Sequence, residues 1–164
     1  MIDILKTYEN GGKIEVYQMV NRLAVDYDKI YSCCEYFAEQ GNNVIITPFF
    51  KKTVGIPLSE QIYASLKDTP FWGKCPDFKV NNIWYEHEGF DKTKDLDDPQ
   101  KKSDKFCLMM KRGIKQSDRI VVEDTGIGRS WARRIIYNRV WFEKQNISEV
   151  YIRTDNGLEL LFKK

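Results

Sequence analysis

Cys75-Pro76-Asp77-Phe78-Lys79-Val80-Asn81-Asn82-Ile83-Trp84-Tyr85-Glu86-His87-Glu88 reads as two short strands joined by a tight turn at Asn81-Asn82. Side chains alternate along a strand, so Glu86 and Glu88 share one face and His87 takes the other. If Asp77 faces the same way, three carboxylates converge. Hard divalent ions such as Mg²⁺ or Mn²⁺ prefer oxygen ligands of this kind. A bound ion there would polarise a phosphate and lower the pKa of a water. Alternating acids also line the solvent face of many hairpins, and the spacing does not choose between the two readings.

Around this hairpin the sequence predicts alternating helices and strands. Residues 26–40 carry Tyr27, Ile30, Tyr31, Cys34, Phe37 and Ala38 at helical spacing, and Gly41 ends the run. Residues 43–50 read as a strand whose continuous apolar character suggests burial on both faces. A short helix over 58–66 follows. Beyond the hairpin come a polar, acidic loop, a helix over 101–115, a strand over 119–123 and a helix over 130–144. A second hairpin, residues 148–154 and 157–162, turns at Asp155-Asn156-Gly157. Residues 7–24 are undecided, although Asn10-Gly11-Gly12 is a turn. The order predicts an α/β fold, a central mixed sheet with helices on both faces. One domain over 1–164 is the simplest reading, with 1–25 as an extension of uncertain structure.

An apolar content of 42% with 13% aromatics argues for a packed core rather than disorder. No apolar run approaches the ~20 residues that span a bilayer. Met1-Ile2-Asp3-Ile4-Leu5-Lys6 lacks a basic start followed by a long apolar stretch, so no signal peptide is read and a cytoplasmic location is expected. Cys33, Cys34, Cys75 and Cys107 form no CxxC pair, and His87 is the only histidine. Zinc ligation is not offered by this spacing, and buried, reduced thiols are expected. With a single histidine available as base, a Ser or Cys nucleophile is not expected either.

The net charge of +2 hides an asymmetry. Residues 101–144 hold twelve Lys and Arg against five Asp and Glu, whereas residues 86–98 hold six carboxylates against Lys92 and Lys94. A basic third of this kind suits a polyanion, and it also suits a solvated surface. Lys111, Arg112 and Lys115 sit at a helix end, where cations complement the helix dipole or contact phosphate. Arg129, Arg133, Arg134 and Arg139 lie on or just before the next helix, and Arg129 and Arg133 share an edge suited to phosphate. Gly126-Ile127-Gly128 lacks the lysine of a phosphate loop and reads as a turn. Trp72, Trp84, Trp131 and Trp141 are expected in the core.

Ala38-Glu39-Gln40-Gly41-Asn42-Asn43-Val44-Ile45-Ile46, Gly73-Lys74-Cys75-Pro76-Asp77, Trp84-Tyr85-Glu86 and Lys115-Gln116-Ser117-Asp118-Arg119-Ile120-Val121-Val122 together resemble the C-terminal nuclease domains of contact-dependent growth inhibition toxins. Those domains look like PD-(D/E)xK nucleases, and several cleave transfer RNA. The whole chain also resembles proteins of Bacteroides mobile elements. The resemblance implies a nuclease-like fold and metal-assisted phosphodiester hydrolysis with Mg²⁺ or Mn²⁺. It implies Asp77 and Glu86 as metal ligands, Glu35 as a helix carboxylate joining them, and Gln116 as an orienting group. Glu88 stands where the motif has a lysine, which would stabilise the attacking water or developing phosphate charge. Lys79 or Lys115 would have to substitute. The alternative is a domain that binds RNA or DNA without cutting, as an accessory protein of a mobile element. A third reading is a domain that binds a protein partner.

Overall fold

The first 25 residues, undecided from sequence, open with an antiparallel hairpin in the computed structural model, which describes residues 1–92, 96–143 and 147–164, residues 139–143 as backbone alone. Its strands are β1 (Ile2–Thr7) and β2 (Lys13–Tyr17). Gly11 takes a φ of +89°, which the turn requires. A Cβ on Gly12 would stand 1.9 Å from the Ala38 carbonyl oxygen, so this turn is pressed against the end of the next helix. That helix, α1 (Tyr27–Ala38), buries Cys33, Cys34, Phe37 and Ala38 and ends at Gly41, whose φ is +88°.

β3 (Asn43–Ile46) runs parallel to β2, with α1 as the crossover. It is shorter than the predicted strand and buried on one face rather than both. Val44 and Ile46 are buried, and Asn43 and Ile45 are half-buried. Past Ile46 the chain turns inward: the Thr47 hydroxyl donates to the Pro76 carbonyl at 2.6 Å, and Pro48 brings no backbone donor. The predicted helix over 58–66 is broken. α2 (Pro57–Ile62) starts on a proline, and a separate 3₁₀ turn covers Ala64–Leu66. The break falls at Tyr63, which buries its ring and donates its hydroxyl to the Pro48 carbonyl.

β4 (Phe78–Val80) and β5 (Ile83–Glu88) form the predicted hairpin. Asn81 and Asn82 both have positive φ, +48° and +68°, as a two-residue turn of this hand needs. The chain divides into two compact units, Met1–Tyr85 and Glu86–Lys164, and β5 belongs to both. Ile83, Trp84 and Tyr85 pair with β4, and Glu86, His87 and Glu88 pair with β6. Within the first unit the strand order is β1-β2-β3-β4-β5, with helical segments on both faces. Phe37 of α1 meets Phe78 and Tyr85 on one side, and Tyr63 meets Trp84 on the other.

The second unit continues β5 with β6 (Arg119–Glu123) and β7 (Glu149–Thr154), all parallel, and closes on antiparallel β8 (Gly157–Lys163). The crossovers are α3 (Pro99–Gly113) and α4 (Arg129–Glu143). Asp98 caps α3 by accepting from the Gln100 amide at 2.8 Å. Phe106, Met109 and Met110 of α3 and Ala132 and Ile136 of α4 pack with Ile120, Val122, Val150 and Ile152, so both helices cover one face of these strands. Gly113 permits the closest approach, since a Cβ there would come within 2.8 Å of the Ile120 side chain.

The fold is thus mixed α/β, as predicted. Among the described residues no helix is long and apolar enough to cross a membrane. Lys94, Asp95 and the predicted helix end at Lys144 lie outside the described residues, as do the side chains of Arg139, Val140, Trp141 and Phe142.

Candidate functional site

The acids and the lysine singled out from sequence have definite places in the first unit. Asp77 precedes β4, half-buried, and its carbonyl accepts from the Thr47 amide at 3.0 Å. Burial chiefly, with the charge of Asp77 among the smaller causes, pushes the Cys34 and Cys75 thiols and the Tyr63 hydroxyl up. These groups stay protonated at neutral pH and are poor nucleophiles. All four cysteines are free thiols, Cys33 and Cys34 buried and Cys75 and Cys107 half-buried. Glu35, on α1, forms an ion pair with Lys6 at 3.0 Å. Lys79 is half-buried with its ammonium 5.0 Å from the Trp84 ring centroid, and burial lowers its pKa. It pairs with Trp84 across the hairpin, and the indole donates to Ser65 at 2.8 Å.

In the second unit Glu86 lies opposite Ile120 and Glu88 opposite Val122. Both acids therefore share the face covered by α3, and the Glu88 Cγ is 3.3 Å from where a Cβ on Gly113 would stand. Glu86 is only 8% exposed, so this is not the solvent face of a hairpin. Lys111 and Arg112 are exposed in the last turn of α3. Lys115 and Gln116 fall in the turn after it. Among the described residues no three His, Cys, Asp or Glu form a group that could hold a metal ion.

The most tightly organised polar cluster was not read from sequence. Glu123 ends β6 with no exposed surface. Arg153, its register partner on β7, donates from Nε at 2.5 Å and from Nη2 at 2.6 Å. His87 Nε2 lies 3.0 Å from the same carboxylate, and the Lys92 ammonium is also 3.0 Å away. A carboxylate only accepts, so the ring nitrogen facing it carries the proton. Burial alone would raise the Glu123 pKa, but the bonds from His87, Arg153 and Lys92 hold it well below the usual carboxylate range. His87, Glu123 and Arg153 lie within the last two residues of three parallel strands. In open α/β sheets those carboxyl ends are where ligands bind.

A groove of about 410 Å³ opens at the same ends, lined by Pro99, Gln100, Lys102 and Ser103 of α3, Gly126 and Ile127 of the β6–α4 turn, and Trp131 of α4. Here the structure corrects the sequence reading of Trp131 as core. Its side chain is 47% exposed, its Nε1 donates to the Ser103 hydroxyl at 3.2 Å, and the Arg134 guanidinium lies 5.3 Å from the ring centroid. The core positions are Ala132 and Ile136 instead. Gly126 does form a turn, with φ of +84° stabilised by the Asp124 carboxylate accepting its amide at 2.8 Å. A Cβ there would meet the Lys102 ammonium at 3.5 Å.

The two arginines expected to bind phosphate both contact β8. Arg129 Nε is 3.6 Å from Glu159, and Arg133 Nε donates to the Leu161 carbonyl at 3.2 Å, both tying α4 to β8. Lys111 and Arg112 stand at the far end of α3 from the groove. The signal for the groove was present only faintly, as a tryptophan beside arginines at the start of a helix that already had Ala132 and Ile136 for its buried stripe. No protein-family model, no curated protein and no solved structure matches this chain.

Proposed function

We propose that this protein is a nuclease-like α/β domain that binds nucleic acid without cutting it. The observation that carries the reading is the distribution of charge. The surplus of twelve cations over five acids between residues 101 and 144 falls in the second unit, on and around α3 and α4. Lys101, Lys111, Arg112 and Lys115 are exposed there. Exposed cations attract a polyanion by releasing its counterions, without any need for base recognition. The likeness to PD-(D/E)xK nucleases rests on Pro76-Asp77 ahead of β4 and Glu86 on β5. Three features favour binding over cleavage: Glu88 in place of the motif lysine, Lys79 stacked on Trp84, and Glu35 paired with Lys6.

The test is direct. Labelled single-stranded RNA, single-stranded DNA and duplex DNA are incubated with the protein and either Mg²⁺ or Mn²⁺, and binding and strand integrity are both read. The expected outcome is salt-sensitive binding with every strand recovered intact, unchanged by Asp77→Ala. Metal-dependent cleavage abolished by Asp77→Ala would replace this reading with the hydrolytic one.

A further inference from the structure

We propose that the α3–α4 groove takes one unpaired nucleotide of a single-stranded nucleic acid, with the base against Trp131 and the phosphate at Lys102. This rests on the nucleic-acid-binding reading and adds to it a selectivity that charge alone does not provide.

A tryptophan half open to solvent in the wall of a cavity is an aromatic platform without its apolar cover. Its indole is held in place by the bond to Ser103, and Arg134 over the ring adds a cation to the same platform. Lys102 also lines the groove, and its ammonium lies 3.5 Å from where a Cβ on Gly126 would stand, so the glycine leaves room for it. An aromatic ring with cations beside it is the arrangement on which single strands stack, since every base has a π-face and every linkage a phosphate. The groove volume lies within the ~300–1,000 Å³ of sites that enclose a small ligand. A paired base is shielded by its neighbours in a duplex, so only an unpaired one can enter.

The experiment compares four ligands of matched concentration: a single-stranded oligonucleotide, an abasic strand of equal length and charge, the duplex, and a free nucleoside monophosphate. Wild type, Trp131→Ala and Trp131→Phe are titrated with each. The expected result is wild-type preference for the single strand over the abasic strand and duplex by about tenfold, lost in Trp131→Ala and kept in Trp131→Phe. Abasic binding should be equal in all three proteins, which also shows that the variants are folded. A preference that survives Trp131→Ala, or no preference while all strands bind, overturns the groove assignment and leaves the charge-driven reading intact. A monophosphate binding as tightly as the strand overturns it in favour of a free nucleotide. No binding of any strand overturns both readings.

Discussion

Glu123 is a carboxylate with no exposed surface and three donors, and its energetics are those of a buried ion cluster. Removing the acid would leave Arg153 and His87 facing each other without compensation. Glu123→Ala is expected to destabilise the protein by about 3 kcal/mol in chemical denaturation, near the lower end for an orphaned buried ion because Arg153 keeps some contact with water. The sign of the pH dependence follows from the lowered pKa. The stabilisation is fully present above the unfolded-state value near 4.5 and is lost as the pH falls from there toward the folded value. Denaturation midpoints measured downward from pH 6 should therefore fall in the wild type and fall less in Glu123→Gln. This cluster was not legible in the sequence. Glu123 reads there as the end of an apolar strand, and it meets His87 and Arg153 only through parallel register across β5, β6 and β7, which no local spacing encodes.

At the scale of elements, what was legible was local. Asn81-Asn82 and Asp155-Asn156 set their hairpins through turn chemistry, and the apolar spacing of α1 and α3 is their own. Asn10-Gly11-Gly12 was legible as a turn, but the reason for the second glycine is the Ala38 carbonyl, twenty-six residues away. Gly12→Ala is expected to cost about 1–3 kcal/mol by thermal or chemical unfolding, since backbone rather than a flexible side chain fills the space. Trp131 was misplaced because α4 offers two adjacent apolar stripes, Trp131 with Ile135 and Ala132 with Ile136, and only packing against β6 and β7 decides between them. Arg133→Ala should lose about 1 kcal/mol of stability with its bond to Leu161. Its nucleic-acid affinity, measured by anisotropy, should be unchanged, which separates the arginines that fasten α4 from the cations that face solvent.

For the whole molecule, a net charge of +2 says little, and the separation of charge along the chain says more. The basic segment of the second unit is the proposed contact for phosphates, and the segment itself was legible from composition. The contacts of Arg129 and Arg133 with β8 were not, because they form only once the hairpin β7–β8 is in place. The most direct measurement is the dissociation constant of a single-stranded oligonucleotide between about 50 and 200 mM salt. The expected result is a linear fall in log affinity with log salt, of roughly 0.7 per phosphate contacted, flattened by roughly 1 to 2 in Lys111→Gln/Arg112→Gln. Affinity that does not change with salt, or no binding at the lowest salt, would contradict the proposed function.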